Sequence, residues 1–398
     1  MKAVRNYLKT TDKTYLFLCM ACSIFAVIVL ISVGRYYAGG FSYDSLTGAR
    51  GLGGYKYAVV QAGAFILGLG CAVFLSYLDY QTLARLWPLH VSVTWFLVLL
   101  TLVFHNVDIA GFTIGYAPSN TQNYSWILLP GGISLQPTEL AKISFMLTFA
   151  MHLDNVRERI NEPKQLLGLL AHMGAPVLTV HIQGDDGTAI VFAAIGAMML
   201  FSAGLSWKYI SAGIGLAVSG LLGVIFFFPG LLQGYQMDRI MSLFDPDNPV
   251  YKDVILQQKY GRNAIGAGRI FGRGLFSDAH TYVPRSENDF VFSYMAESIG
   301  FVGCLIVLGV LFAIAIRTLT IGANSGQRMG TYLCVGVFAA IAFQLIINLG
   351  MNLMLLPVIG VTLPFFSAGG SSVLMLYICV GLVLSVYRNS RYSWRSGR

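Results

Sequence analysis

The chain has 398 residues, of which 56% are hydrophobic and 11% are charged, and its net charge is +8. Soluble domains carry about 25% charged residues, so too few polar side chains are present to cover soluble domains of this total length. The composition excludes an ordinary cytosolic enzyme, a disordered chain and a nucleic-acid-binding protein. In a membrane protein, an excess of basic residues is typical of the cytoplasmic ends of helices.

Apolar segments of roughly 20 residues, the length that crosses a bilayer, recur along the whole chain. The first lacks the small-residue cleavage site of a signal peptide and is expected to be retained. We predict an all-α polytopic membrane protein with about ten transmembrane helices, a single integral membrane domain over residues 1–398. The predicted spans are 14–34, 56–77, 87–104, 139–153, 165–182, 188–204, 207–228, 289–316, 329–356 and 362–387.

The distribution of basic residues predicts that both termini are cytoplasmic. With that orientation, 15 of the 26 Lys and Arg residues but only five of the 18 acids lie on the cytoplasmic side, as the positive-inside rule requires. Residues 1–13 then form a cytoplasmic N-terminus and 388–398 a cytoplasmic tail. The long extracytoplasmic connections are 35–55, 105–138 and 229–288. The last lies between the seventh and eighth helices and is expected to fold against the outer membrane surface.

Ionisable residues near the predicted membrane borders are costly to place and are candidates for function. Glu139 and Lys142 follow Pro137, which suits the first turn of a helix. Their spacing of three residues places them on one helix face. Two interpretations stay open: an ion pair that holds one helix against another, or a polar lining of a substrate groove.

Asp289 lies where the largest predicted loop re-enters the membrane. A carboxylate at this position either caps the eighth helix or faces a cleft as a general base. Glu297, eight residues further on, is interpreted as an internal contact that is satisfied by neighbouring groups.

Two more groups of charged residues lie in predicted outer connections. Asp185, beside Asp186, either caps the next helix or is a ligand for a divalent metal ion. Three arginines of the large loop either are attracted to lipid headgroups or bind phosphate groups; they are Arg262, Arg269 and Arg273.

Residues 355–372 contain two prolines and three glycines at predicted membrane depth. Irregular backbone within a bilayer is tolerated only where it is buried in protein or lines a cavity. This segment therefore predicts a polar pocket on the outer side.

Five segments together resemble motifs of the SEDS family, the shape, elongation, division and sporulation proteins typified by RodA and FtsW. They are similar to Q-P-S-E-x-x-K, A-I-G-S-G-G-L-F-G-K-G, D-F-I-F, A-E-E-L-G-F-I-G and L-P-V-T-G-I-x-L-P-F-I-S-Y-G-G-S-S. In this chain the corresponding residues are 136–142, 264–274, 289–292, 296–303 and 355–372. The motifs occur in the family's order, and the resemblance covers nearly the whole chain.

The resemblance implies ten transmembrane helices with a large outer loop between helices 7 and 8. It also implies an inverting peptidoglycan glycosyltransferase that polymerises lipid II at the outer face of the bacterial plasma membrane. By the same resemblance, Asp289 is the essential catalytic carboxylate, and Glu139, Lys142 and the three loop arginines are candidates for substrate binding. The implied partners are a class B penicillin-binding protein and membrane lipids. Mg²⁺ or Mn²⁺ is a candidate cofactor, with Asp185 as its candidate ligand.

Some positions depart from the family pattern. Glu287 and Asn288 replace the usual H-T before the aspartate, and Ala368 replaces the tyrosine of S-Y-G-G. Two other functions stay open: a lipid II flippase, and a non-catalytic scaffold of the elongation or division machinery. The sequence does not distinguish roles in elongation, division and sporulation.

Overall fold

The computed structural model describes residues 7–38, 55–117, 123–130, 133–227 and 234–396. Several predicted segments extend outside these ranges. They are the start of the N-terminal tail, most of the outer connection 35–55, parts of 105–138, the first residues of 229–288 and the end of the tail.

The described residues are mainly helical, and each predicted span corresponds to one long helix. A short helix, α3, connects two of them, and α9 and α10 lie in the predicted large loop. The helices are α1 (Lys13–Ala38), α2 (Lys56–Tyr77), α3 (Tyr80–Arg85), α4 (Trp87–Val103), α5 (Pro137–Val156), α6 (Pro163–Ile182), α7 (Asp186–Ser202), α8 (Trp207–Phe227), α9 (Gly234–Phe244), α10 (Lys252–Gly268), α11 (Val291–Ala323), α12 (Arg328–Asn352) and α13 (Gly370–Ser396).

Seven of the described helices are long and apolar enough to cross a membrane, and α4 and α7 are shorter apolar helices. Large apolar side chains such as Ile66, Leu216 and Phe312 point outward from the bundle, with 64–74% of their surface exposed. Helices that are apolar on all faces are typical of a membrane bundle. The prediction of a polytopic α-helical membrane protein is confirmed, and the count of ten crossings stays a prediction.

The centre of the bundle is α12, which packs against α5, α7 and α11. On another side of the molecule, α13 lies along α2 and also contacts α5. These contacts bring the first turns of α5, α7 and α11 and the segment before α13 to the same end of the bundle. The candidate site residues lie at this end.

The connection between α4 and α5 contains a four-stranded antiparallel sheet, which differs from the all-α prediction. Ala110 and Gly111 both have positive φ and form a two-residue turn of the kind that suits a tight hairpin. Strands of three to five residues are too short to give a clear alternating pattern in the sequence. The strands, in sheet order, are β1 (Val107–Ile109), β2 (Phe112–Tyr116), β3 (Trp126–Leu129) and β4 (Ile133–Leu135).

Helix α11 is interrupted at Gly300, where φ is 68°. The chain after α10 fits into this break: Phe301 N donates a hydrogen bond to Arg269 O at 2.9 Å. A Cβ atom at position 300 would lie 2.2 Å from Gly272 N, so the contact requires glycine. The loop is joined to α11 on both sides of the break, since Arg273 N also donates a hydrogen bond to Glu297 O at 2.8 Å.

Residues 353–369 between α12 and α13 are not helical, as their proline and glycine content predicts. Gln61 of α2, which is 1% exposed, donates a hydrogen bond to Phe365 O at 3.0 Å. At Gly187, in the first turn of α7, an added Cβ atom would lie 2.3 Å from Ile359 O. The irregular segment is therefore held between α2 and the start of α7.

Candidate active site

Glu139 and Lys142 form a buried ion pair in the first two turns of α5. Lys142 Nζ lies 2.7 Å from Glu139 Oε1, and the two residues are 5% and 8% exposed. Both are close enough to Asp185 to affect the pKa of its carboxyl group. Glu139 and Lys142 therefore pair with each other and also act on the charge of Asp185. Both interpretations, a structural ion pair and a polar lining of a substrate groove, stay open.

Asp185 joins the first turns of α5 and α7. Its Oδ1 accepts a hydrogen bond from Thr188 N at 3.1 Å and so caps α7. Its Oδ2 accepts a hydrogen bond from Gln136 Nε2 at 2.6 Å. Burial raises the pKa of Asp185, and its hydrogen bonds with Thr188 and the nearby Lys142 oppose that rise. The carboxylate is already occupied by protein donors on both oxygens.

The residues around Asp185 do not form a metal-binding set. In the ranges that the structure describes, no group of three or more His, Cys, Asp or Glu side chains could hold a metal ion. The neighbouring Asp186 accepts hydrogen bonds from His181 Nδ1 and Gln236 Nε2, both at 2.6 Å. The second contact connects α9 to the start of α7.

Asp289 does not cap α11. The residue at the N-cap is Phe290, whose side chain makes no capping hydrogen bond, and Ser293 N in the first turn donates to Asn352 Oδ1 at 3.2 Å instead. The half-buried carboxylate of Asp289 accepts no hydrogen bond from any residue that the structure describes. In this respect it differs from the carboxylate of Asp185, which accepts hydrogen bonds on both oxygens.

The electrostatic surroundings of Asp289 connect it with the other charged residues. Burial raises the pKa of its carboxyl group, Arg285 lowers it, Asp185 raises it and Arg239 lowers it. The charges of Asp185 before α7, Arg239 in α9 and Arg285 before α11 therefore all act on the Asp289 carboxylate. The sequence analysis did not single out Arg239 and Arg285; the signal available for Arg285 is its position four residues before Asp289.

A tight turn positions Asp289 at the start of α11. Arg285 has φ of 55°, a conformation that is uncommon for a residue with a side chain. Asn288 N and Phe290 N both donate hydrogen bonds to Arg285 O, at 3.0 and 3.3 Å. These bonds reverse the chain directly before the helix and hold Asp289 at its end.

The three loop arginines that the sequence grouped together lie in different surroundings. Arg273 pairs with Glu297 at 3.0 Å. Arg262 is exposed on α10, and its charge adds to that of Lys259 in lowering the pKa of Asp247. Arg269 is exposed at the C-terminal end of α10. The structure does not bring the three guanidinium groups together at one position.

Glu297 is an internal contact, as interpreted from the sequence. Its side chain is fully buried and accepts hydrogen bonds from Arg273, His280 and Thr281. Thr281 donates both its N–H and its hydroxyl group. Glu297 thereby fastens the end of the large loop to α11.

A separate cavity of about 540 Å³ lies between α4, α5 and α6. Its polar lining includes Ser144, Thr148, His152 and His172, together with Asn155. His172 bonds to Thr148 at 3.2 Å and to His152 at 3.1 Å. None of the predicted site residues lines this cavity, which lies along the part of α5 that follows Lys142.

The long apolar helices and the charged groups at one end of the bundle define a class of protein: a multi-pass membrane protein with a buried, charged site. The family model described as "Cell cycle protein", which covers FtsW, RodA and SpoVE, matches residues 12–392. The chain belongs to this family, which confirms the resemblance found in the sequence.

Individual relatives agree with this assignment. The chain is 29% identical over 334 residues to stage V sporulation protein E of Bacillus subtilis, covering 82% of this chain and 85% of the relative. It is 33% identical over 272 residues to the peptidoglycan glycosyltransferase MrdB of Escherichia coli K12, covering 67% and 71%. It is 32% identical over 355 residues to the probable peptidoglycan glycosyltransferase FtsW of Thioalkalivibrio sulfidiphilus, covering 86% and 83%.

Two solved structures share the fold. A chain of a peptidoglycan synthase complex that coordinates polymerisation and crosslinking matches with a TM-score of 0.73 and 25% identity, covering 96% of this chain and 98% of that one. The rod shape determining protein RodA of Thermus thermophilus matches with a TM-score of 0.62 and 26% identity, covering 95% and 97%. The RodA-like fold is therefore confirmed over almost the full length.

Proposed function

We propose that this protein is a peptidoglycan glycosyltransferase that polymerises lipid II into glycan strands for cell-wall synthesis. The family and the relatives named as glycosyltransferases support this function. One structural observation carries the mechanism: the Asp289 carboxylate lies among Asp185, Arg239 and Arg285 and is free of hydrogen bonds from the described residues.

In this mechanism Asp289 is the general base. Its carboxylate takes the proton from the acceptor sugar hydroxyl as that oxygen attacks the anomeric carbon of the donor. The bond from this carbon to the polyprenyl pyrophosphate breaks, and the pyrophosphate leaves with the electron pair. Attack from the opposite side converts an α-linked donor into a β-linked product. The raised pKa of Asp289 suits the role, because a stronger base takes a hydroxyl proton more readily.

The departing pyrophosphate requires positive charge. The charge of Lys142 lowers the pKa of Asp185, and those of Arg285 and Arg239 lower the pKa of Asp289; preorganised charges of this kind stabilise a developing anion. Substrate binding by Glu139, Arg262, Arg269 and Arg273 stays a prediction. The different surroundings of the three arginines favour separate contacts with an extended substrate over a shared phosphate site.

The role of a divalent cation also stays a prediction. The hydrogen bonds of Asp185 and the lack of a three-ligand set among the described residues do not fit a metal ion held by the protein. The proposed reaction therefore uses no metal-dependent step.

A transpeptidase of class B penicillin-binding type is the proposed partner, because the similar structure with the TM-score of 0.73 comes from a synthase complex. The proposed location is the bacterial inner membrane, with both termini cytoplasmic and residues 229–288 outside. Lipid II then reaches the site from the outer leaflet.

One observation favours a second function, lipid II flipping. Ser144, Thr148 and His152 recur every four residues along α5 beyond Lys142 and line the α4–α6 cavity. They therefore form a polar line on one face of the helix. A flippase needs such a polar route across the membrane. A non-catalytic scaffold would need neither this route nor the charged site.

The test is to supply purified lipid II to the purified protein in proteoliposomes, with and without its transpeptidase partner. Glycan length and transfer of labelled lipid II between leaflets are measured together. We expect glycan strands from the wild type, and a decrease of about a hundred- to ten-thousand-fold in Asp289→Asn, the usual loss for a general base.

The matched control is Asp278→Asn, which removes a carboxylate that is 94% exposed in the same loop. It should polymerise at the wild-type rate. Transfer of lipid II without polymerisation would support the flippase, and neither activity would support the scaffold. A well-folded Asp289→Asn that keeps more than about a tenth of the rate would exclude Asp289 as the base.

A further inference from the structure

Two buried asparagines of α12 bond to the main chain of Asp289. Asn348 Nδ2 donates a hydrogen bond to Asp289 O at 2.9 Å, and Asn352 Nδ2 donates one to the same oxygen at 3.0 Å. Both asparagines are 0% exposed. They are four residues apart and so lie on one helix face. The carbonyl group of Asp289 is thus held by two side-chain amides.

The same asparagines also bond to the residues on either side. Asn352 Oδ1 accepts a hydrogen bond from Ser293 Oγ at 2.6 Å, and Asn348 Nδ2 donates a second bond to Val361 O at 2.8 Å. One amide therefore joins Asp289 to the first turn of α11, and the other joins it to the irregular segment before α13.

The chain just before Asp289 is held as well. Ser367 Oγ donates a hydrogen bond to Asn288 O at 2.8 Å, and Ala368 N donates one to Glu287 O at 2.7 Å. The main chain on both sides of Asp289 is fixed, whereas its carboxylate accepts no hydrogen bond from the described residues. This combination leaves the reactive group free and restricts the direction in which it points.

We propose that Asn348 and Asn352 are positioning residues that orient the Asp289 carboxylate toward the acceptor hydroxyl. The orientation of the Asp289 peptide group sets the Cα–Cβ direction, and the staggered side-chain rotamers then limit the places that the carboxylate oxygens can take. A displacement of about 1 Å at a reacting group can lower the rate by about a hundredfold. The inference rests on the proposed role of Asp289 as the general base.

Burying a polar side chain in a membrane-spanning helix costs free energy, so Asn348 and Asn352 are expected to have a structural or functional role. Simple anchoring of two chain segments is one such role, and it predicts lost stability without a specific loss of turnover. Positioning predicts a lower kcat with little change in KM, and an effect that disappears once Asp289 itself is removed.

The chain offers a matched control for anchoring. Gln258 of α10 is 1% exposed, and its Nε2 donates hydrogen bonds to Met351 O and Leu356 O, both at 2.9 Å. Gln258→Leu therefore removes two buried amide-to-carbonyl bonds of the same length without touching Asp289. It should lower the unfolding temperature and leave kcat near the wild-type value.

The experiment compares Asn348→Leu, Asn352→Leu and Gln258→Leu, each alone and in the Asp289→Asn background. Unfolding temperature, kcat and KM for lipid II are measured for each variant. We expect the asparagine variants to lower kcat by at least about tenfold with KM changed less than about twofold. In the Asp289→Asn background they should cause no further decrease.

If the leucine variants do not fold, Asn348→Ser and Asn352→Ser replace them in the experiment. Serine keeps a hydroxyl donor on a shorter side chain. These serine variants should also lower kcat more than Gln258→Leu does. The positioning role is overturned if the asparagine variants lose no more kcat than Gln258→Leu, or if their losses multiply with that of Asp289→Asn. An active Asp289→Asn would instead refute the base itself, so the two failures are distinguishable.

Discussion

Lys142 Nζ lies 2.7 Å from Glu139 Oε1, and at most 8% of either residue is exposed. Removing one partner of a buried pair leaves the other charge unpaired, at a cost of about 3–5 kcal/mol. We expect Glu139→Gln and Lys142→Met each to lower stability and glycan synthesis strongly.

The free energy of unfolding of the double variant should fall by much less than the sum of the decreases in the two single variants, because the double variant leaves no unpaired charge. Unfolding free energies of all four proteins in detergent measure this coupling. Equal and additive losses would show that the two residues act separately.

The raised pKa of Asp289 predicts a pH effect on stability. The folded protein keeps the proton of this carboxyl group to a higher pH than the unfolded chain does. Between the two pKa values the folded state binds more protons, so the free energy of unfolding falls as the pH rises through this interval. Asp289→Asn cannot ionise and should lack this part of the decline.

Unfolding measured upward from about pH 4, near the ordinary pKa of aspartate, tests this difference, with Asp278→Asn as the control. The acid limb of kcat/KM for the wild type should lie above that ordinary value, because the base must lose its proton first. An acid limb at the ordinary value of an exposed aspartate would contradict the assignment.

Asp185 is expected to act through its hydrogen bonds. Asp185→Ala removes the cap of α7 and the partner of Gln136, so stability should fall by about 1–3 kcal/mol. Asp185→Asn keeps one acceptor oxygen, so its stability should fall less than that of Asp185→Ala. Added Mg²⁺ should affect the activity of Asp185→Asn and of the wild type equally, whereas a much higher Mg²⁺ requirement in Asp185→Asn would identify Asp185 as a metal ligand.

Glu297 should control how firmly the large loop is held. Glu297→Gln removes the charge that Arg273, His280 and Thr281 share. We expect faster hydrogen exchange at residues 273–281, while Arg262→Gln on the exposed face of α10 leaves exchange there unchanged. Unaltered exchange in Glu297→Gln would mean that the hydrogen bonds to Gly300 and its neighbours are sufficient to hold the loop.

The predicted topology places the large loop outside the cell. Val250 is 74% exposed, and Val250→Cys in a background without the native cysteines should react with a membrane-impermeant reagent on intact cells. A cysteine in the cytoplasmic tail, at position 395, should react only after permeabilisation. The reverse pattern would invert the topology.

The membrane helices could be predicted from the sequence because a helix that crosses a bilayer needs about 20 apolar residues, and such runs are easy to recognise. Asp289, Glu139 and Lys142 were found because charges at membrane borders are rare. The contacts of Asn348 and Asn352 were missed, although two amides four residues apart in an apolar helix were a visible signal. The sequence does not show which distant carbonyl group accepts a hydrogen bond from a given side-chain amide, because the partner depends on how the helices pack.

The contacts of the loop arginines could not be predicted from the sequence either. Arg262, Arg269 and Arg273 are close in sequence, yet α10 and the turn after it direct them to different places. Arg239 and Arg285 are 46 positions apart, and both affect the pKa of Asp289. Proximity along the chain predicts a shared helix face, whereas proximity across a loop depends on how the loop folds.

The interruption at Gly300 divides α11 into two mechanical parts. The outer part carries Ser293 and Glu297, and the loop bonds to both parts: Arg273 N donates to Glu297 O at 2.8 Å, and Phe301 N donates to Arg269 O at 2.9 Å. The loop therefore bridges the break, and its hydrogen bonds fix the angle between the two parts of α11. Because Asp289 precedes the outer part, a change in this angle would shift its position relative to α7.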